Sequence, residues 1–277
     1  MAEFYFQNKK VYYEVHGNTG EPIVLLNGIM MSTASWKPFI ETMTRCNTLV
    51  LVDFFDQGQS ARMTESYDHS IQVELLHALL EEMSGQLWHE SFTLMGISYG
   101  GEVAIQYALA HPDRVRRLVL ANTCGRTSPW LKKIGDGWNE VAKTGQGYAY
   151  YLTTIPIIYS TQFFEDRAAW MEGREAYLTE YFSRPEVLQA LIRLTDSSVG
   201  YDVVDRLHEI TCPTLIISSS EDALVPPTEQ QLLHRHIKGS MYVTINGSGH
   251  ASMYEMPEAF AALTVGFANL SDKGIQI

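Results

Sequence analysis

F-T-L-M-G-I-S-Y-G-G, residues 92–101, sets an apolar run against a glycine-framed serine and then opens a helix. Six residues are too few for a buried helix but suit a strand covered on both faces. Gly96-x-Ser98-x-Gly100 follows at once, with Gly101 and Glu102 in what reads as the first helical turn. A serine thrust out on a tight strand-to-helix turn needs neighbours without side chains, and Gly96 and Gly100 meet that need. The helix N-terminus behind it favours developing negative charge. Ser98 is therefore the candidate nucleophile.

Working outward, Val-, Ile- and Leu-rich runs of similar length recur at residues 22–27, 48–54, 118–122 and 214–218, and another strand holds Tyr242, Val243 and Ile245. Helix-period segments lie between them at residues 35–44, 71–83, 100–110 and 229–236. Alternating strands and helices imply βαβ crossovers and an α/β fold with a doubly wound, mostly parallel sheet. The opening residues 4–15 alternate around Asn8, Lys9 and Lys10, which predicts an antiparallel hairpin added at one sheet edge. Residues 124–209 break the rhythm. They hold no clear buried strand, but many aromatics at helical spacing, among them Trp130, Trp138, Tyr151, Phe163, Phe164, Trp170, Tyr177, Tyr181 and Phe182. This interval reads as a helical lid inserted in a single domain spanning residues 1–277, with the aromatics as a group roofing an apolar pocket.

A lone serine is a poor nucleophile, so a base and an orienting acid are expected further along the chain. Asp222 lies just past the strand at residues 214–218, in S-S-S-E-D-A-L-V-P-P, and His250 closes N-G-S-G-H past the strand ending at Ile245. Both fall on loops at the carboxyl edge of the sheet, beside the serine turn. Met30, Met31, Met253 and Met256 flank the loops around this site and suit an adaptable apolar wall or the core.

Nearly the whole chain resembles the α/β-hydrolase superfamily. The resemblance rests on L-L-N-G-I-M-M-S-T-A-S-W at residues 25–36, V-D-F-F-D-Q-G-Q-S at 52–60, the serine turn, I-T-C-P-T-L-I-I at 210–217 and G-S-G-H at 247–250. It implies a serine hydrolase, most simply an esterase, in which Ser98 attacks, His250 acts as base and Asp222 orients it. It also implies an oxyanion hole from the backbone amides of Ile29 and Tyr99, with no cofactor and no metal. The register of Val225-Pro226 selects Asp222 over Glu221 as the acid, and the other position used in this superfamily, after residues 118–120, holds Asn122 and no carboxylate. Two places depart from the common pattern: Asn27-Gly28 stands for the usual His-Gly, and Asp53-Phe54-Phe55-Asp56 for Asp-x-Arg-Gly. N-G-I-M-M-S-T-A-S at residues 27–35 and Gly58-Gln59-Ser60 further resemble the 3-hydroxyacyl acyltransferase of rhamnolipid synthesis, which implies an acyltransferase as an alternative. A ligand-binding receptor with a slow triad is the alternative outside catalysis.

Composition narrows the partners. With 20 Lys+Arg against 32 Asp+Glu, the net charge of −12 repels nucleic acid and anionic lipid, and no basic stripe reverses this. Arg114, Arg116 and Arg117 precede a strand and so face away from the site, leaving Arg126, Lys132 and Lys133 on the lid side. No apolar run is long enough to span a bilayer, and the start lacks the features of a signal peptide, so a cytoplasmic protein acting on a small acyl substrate is expected. Cys46, Cys124 and Cys212 form no CxxC pair and read as packed thiols. His234 and His236, two apart on a helix, point different ways and make a poor metal pair.

Overall fold

The computed structural model describes residues 4–84 and 91–271. The readings of the chain start and of residues 1–277 as one unit therefore extend in part outside the described residues.

Strands β1 (Phe4–Phe6) and β2 (Lys9–Val11) form a two-stranded sheet of their own. Gln7 and Asn8 both hold positive φ, 49° and 60°, which closes the tight turn between them. The predicted hairpin is thus present but does not lie at the sheet edge. That place is taken by the next strand, β3 (Tyr13–His16), which pairs antiparallel with β5 (Asn47–Val52). The chain passes from one sheet to the other at Tyr12, whose amide donates to Ser60 Oγ at 2.8 Å and whose carbonyl accepts from Asp53.

The main sheet runs β3-β5-β4-β6-β7-β8-β9, with β4 (Glu21–Leu26), β6 (Phe92–Ile97), β7 (Val115–Ala121), β8 (Thr214–Ser219) and β9 (Met241–Ile245) parallel to β5. Strand period two divides each apolar run between two cores. Val24, Leu26, Val50, Val52, Leu94, Leu118, Leu120 and Ile216 face one core with α2 (Ser70–Met83) and α3 (Tyr99–Ala110). Ile23, Leu25, Leu49, Leu51, Met95, Ile97, Val119 and Ile217 face the other, with Phe39 of α1 (Lys37–Met43) and Trp36 before it. Burial on both faces is why these strands read as continuous apolar runs. Because β5 leaves β4 on one side and β6 joins it on the other, the carboxyl ends of β4 and β6 diverge into a crevice.

Between β7 and β8 the chain forms α4 (Pro129–Lys143), α5 (Gly147–Thr154), α6 (Thr161–Asp166), α7 (Ala168–Phe182) and α8 (Pro185–Ser197). The two ends of this segment are stitched together: Thr127 N donates to Tyr201 O at 2.7 Å, Val203 N donates to Gly125 O at 2.9 Å, and the backbones of Arg126 and Asp202 form an antiparallel β-bridge. Its own core joins Trp138, Tyr150, Tyr151, Phe182 and Leu191 to Leu224, Val225 and Ala251 of the sheet-edge loops. The chain continues through α9 (Pro227–His236), α10 (Ser252–Glu255) and α11 (Pro257–Ala268). Among the described residues no helix is long and apolar enough to cross a membrane.

The three thiols differ from the packed set expected. Cys124 is buried and Cys212 partly so, but Cys46 is exposed in the turn between α1 and β5. Burial pushes the Cys124 thiol well up and the Cys212 thiol up to about 11. Iodoacetamide on the native protein at pH 8 should accordingly label Cys46 alone, as read by peptide mass spectrometry. Equal labelling of Cys124 would contradict the packing described.

Candidate active site

Ser98 sits between β6 and α3 with φ 54° and ψ −123°, a conformation that an L-residue adopts only under constraint. Its amide donates to Ala121 O at 2.9 Å, and its carbonyl accepts from Thr123 Oγ1 at 2.7 Å. The flanking glycines are required by contact. A Cβ on Gly96 would lie 2.3 Å from Gly100 O, and one on Gly100 would lie 2.4 Å from Leu26 O. The turn thus closes only if α3 approaches the end of β4 at backbone distance.

His250 Nε2 lies 2.9 Å from Ser98 Oγ, and His250 Nδ1 lies 2.8 Å from Asp222 Oδ2. With Nδ1–H donating to the carboxylate, Nε2 is left to accept the serine proton. The Asp222 carboxylate is buried and accepts three further donors: Leu224 N at 3.1 Å, Val225 N at 2.8 Å and Asn122 Nδ2 at 3.0 Å. Glu221 instead points into solvent, and its amide donates to Ser248 O. The register read from Val225-Pro226 therefore brings Asp222, and not its neighbour, to the imidazole.

Ile29 and Tyr99 line the same cavity as Ser98 and His250. Neither backbone amide donates to another group among the described residues. The loop bearing Gly28 and Ile29 is held from behind by the two stretches that depart from the common pattern. Asn27 Nδ2 donates to Val52 O at 2.7 Å, Trp36 Nε1 donates to Asn27 Oδ1 at 2.7 Å, and Gln57 Nε2 donates to Gly28 O at 2.9 Å. Asp53 accepts from Thr33 N at 2.7 Å and from Gln59 N at 2.9 Å; burial nevertheless pushes its carboxyl up. Asp56 forms a buried ion pair with Arg193 of α8 at 2.6 Å, tying the inserted helices to the loop after β5.

Several residues of the site were not foreseen. Asn122, which follows β7 where the superfamily's other acid position falls, donates to the Asp222 carboxylate. Glu255 accepts from Gly249 N at 3.1 Å on the histidine loop and from Ser160 Oγ at 2.6 Å on the inserted segment. Glu102, whose side chain also lines the cavity, meets His69 Nε2 at 3.0 Å and accepts from Ser198 Oγ at 2.9 Å. No local sequence pattern marks these: apart from Gly249 and Glu255, six residues apart, the partners lie far apart along the chain.

The cavity wall is mostly apolar, with Met30, Met31, Ile134, Trp138, Ile155, Leu178, Phe182 and Met253. The aromatic roof expected from nine rings is smaller than that. Of these, Trp138 and Phe182 line the cavity, while Tyr151 packs inside the helical segment and Trp130, Trp170 and Tyr177 are exposed. Tyr159 adds a further ring, and Met256 is exposed. His234 and His236 turn to different partners, Ser240 Oγ and Leu232 O.

The profile of the alpha/beta hydrolase fold family matches residues 21–257. The chain is 48% identical to MGS-M2, an alpha/beta hydrolase enzyme from a Medee basin deep-sea metagenome library, over the full length of both chains and with a TM-score of 0.95. A thermophilic esterase from Thermogutta terrifontis is 25% identical over 94% of this chain and 93% of its own, with a TM-score of 0.79. A protein of Azorhizobium caulinodans named as the carbamate hydrolase RutD is 25% identical over 95% of this chain and 96% of its own.

Asn122→Ala removes one of four donors to the Asp222 carboxylate and leaves Ser252 Oγ without its acceptor. A buried hydrogen bond to a charged group is worth about 1.5–3 kcal/mol, so turnover should fall roughly tenfold to a hundredfold. KM should change little, because Asn122 does not line the cavity. Steady-state kinetics of the purified variant would check this.

Proposed function

Because the chain belongs to the alpha/beta hydrolase fold family and is an enzyme of that class, we propose that it cleaves the carboxylic ester, or a related acyl bond, of a small and largely apolar substrate through an acyl-enzyme. The observation that carries this reading is the 2.9 Å approach of His250 Nε2 to Ser98 Oγ, with the far side of the ring held by Asp222.

In the first half-reaction His250 takes the Ser98 proton as Oγ bonds to the carbonyl carbon. The oxyanion that forms is met by the amides of Ile29 and Tyr99. Collapse breaks the bond to the alcohol oxygen, which leaves with the proton from His250. Water then repeats the sequence: its proton passes to His250, its oxygen bonds to the acyl carbon, and the acid departs as Ser98 regains a proton. Asp222 orients the ring and stabilises the imidazolium. These steps call on no metal or cofactor. Residues 124–209 act as a cap on a single domain, and the apolar wall accepts the acyl chain. Three free thiols are consistent with a cytoplasmic setting.

A transfer reaction with an acidic carrier as donor would want a basic face near the site. Lys132 and Lys133 are instead paired with Asp136, and Arg126 with Glu229. This supports water as the acceptor.

Ser98→Ala should abolish ester turnover, by about a millionfold if the three residues act as a unit, with circular dichroism unchanged. Asp222→Asn should lower turnover by roughly four orders of magnitude and Glu221→Gln by far less. The reverse ranking would move the acid to Glu221.

An apolar acyl site also fixes the trend of a C2 to C6 p-nitrophenyl ester series. Each buried methylene contributes about 0.8 kcal/mol, so kcat/KM should climb close to fourfold per carbon before levelling. A series that is flat from C2 would remove the apolar acyl site.

A further inference from the structure

Arg174 projects from α7 into the wall of the cavity that holds Ser98 and His250. Its direct contacts are aromatic. The guanidinium carbon lies 5.2 Å from the ring centre of Tyr254 and 5.6 Å from that of Trp170, and the Tyr159 side chain interacts with it. Nε is buried without a hydrogen-bond partner among the described residues, and no carboxylate among them pairs with the side chain.

The other cations around this segment are engaged. Lys132, also in the cavity wall, meets Asp136 at 2.8 Å, Arg126 meets Glu229 at 3.3 Å, and Arg193 meets Asp56 at 2.6 Å. Ring contacts offset only part of the cost of drawing a guanidinium out of water. A cation held in this way, with a donor facing no acceptor, is complementary to an anion that arrives with the substrate. The shape of the group selects which anion. A planar fork accommodates one carboxylate in a bidentate pair, and there is no second free cation in the cavity wall, among the described residues, to balance a phosphate dianion.

We propose that the substrate carries a second carboxylate, remote from the scissile bond, which docks on Arg174: a half-ester of a short dicarboxylic acid or the equivalent lactone. This rests on the ester-hydrolase reading above. The cavity then sorts substrates by two features at once, an apolar spacer along Met30, Leu178 and Phe182 and an anionic end beside Tyr159 and Tyr254.

The test compares monomethyl succinate, glutarate and adipate with neutral methyl esters of matched length, on wild type, Arg174→Gln and Arg174→Lys, by pH-stat titration. Folding of each variant is checked by fluorophosphonate labelling of Ser98. Wild type should favour at least one half-ester over its neutral counterpart by roughly tenfold or more in kcat/KM, as expected for a charge-assisted pair. Arg174→Gln should collapse that ratio to near one, and Arg174→Lys should restore part of it, with the change in KM rather than kcat. A wild-type preference for the neutral ester throughout, or an unchanged ratio in Arg174→Gln, would overturn the proposal. Should neither ester class turn over, the ester reading fails by itself. Calorimetric binding of monomethyl glutarate to Ser98→Ala, abolished in Ser98→Ala/Arg174→Gln, would then still uphold the anion site, and absence of binding would sink it.

Discussion

The backbone at Ser98, with φ 54° and ψ −123°, costs about 1–3 kcal/mol relative to a relaxed residue, and the arrangement around it exists to hold that conformation. Ala121 O takes the Ser98 amide, Thr123 anchors the carbonyl, and Gly96 and Gly100 let α3 close against the end of β4. Once the turn is held, Oγ has one direction in which to point. Tyr99 is the first residue of α3 and lines the cavity, and its amide has no acceptor among the described residues. The Gly28–Ile29 loop, which follows β4, lines the same cavity, so both segments reach Ser98 through the order of the strands.

The imidazole is positioned by buried polar contacts from separate parts of the chain. Asp222 comes from the end of β8 and is braced by Asn122 from the end of β7. The histidine loop is braced by Glu255 and by the inserted helices, where Ala251 N donates to Ile158 O at 3.0 Å. Such contacts are strong inside a water-poor site and costly when broken singly, so they specify one arrangement of the imidazole. The helical segment is fastened to the body by Arg193 to Asp56, by Ser198 to Glu102, and by the paired strands of chain at its neck.

The central strands were readable because burial on both faces leaves an uninterrupted apolar run, and the serine turn because its steric demands are met by glycine at two fixed offsets. Asp222 and His250 were readable from their places past strand ends. What escaped was whatever depends on partners distant in the chain. Asn122 lies 100 residues from Asp222, and Ser160 lies 95 from Glu255, so no local period records either pair. Residues 4–15 were recognised as a hairpin by their alternation, but alternation does not say where one strand pair ends, and the hairpin closes within residues 4–11 while β3 takes the sheet edge. Aromatic spacing within residues 124–209 identified helices without distinguishing rings that face the cavity from exposed ones such as Tyr177. Arg174 carried no motif at all; what marks it is a buried Nε without a hydrogen-bond partner among the described residues.

The double engagement of Glu255 bears on how such proteins diversify. One carboxylate holds the Gly249 amide beside His250 and the Ser160 hydroxyl at the start of α6. The helical insertion is therefore not an interchangeable module laid over an independent machine. Recombination that swapped it for a homologous segment lacking an equivalent hydroxyl would leave Glu255 half-satisfied and the histidine loop freer to wander. Drift in substrate range would then be coupled to drift in catalytic rate. Lineages altering the insertion should carry compensating changes at residue 255 or 160, and directed evolution of specificity would proceed more smoothly by point changes on the inner faces of α4, α7 and α8 than by wholesale exchange.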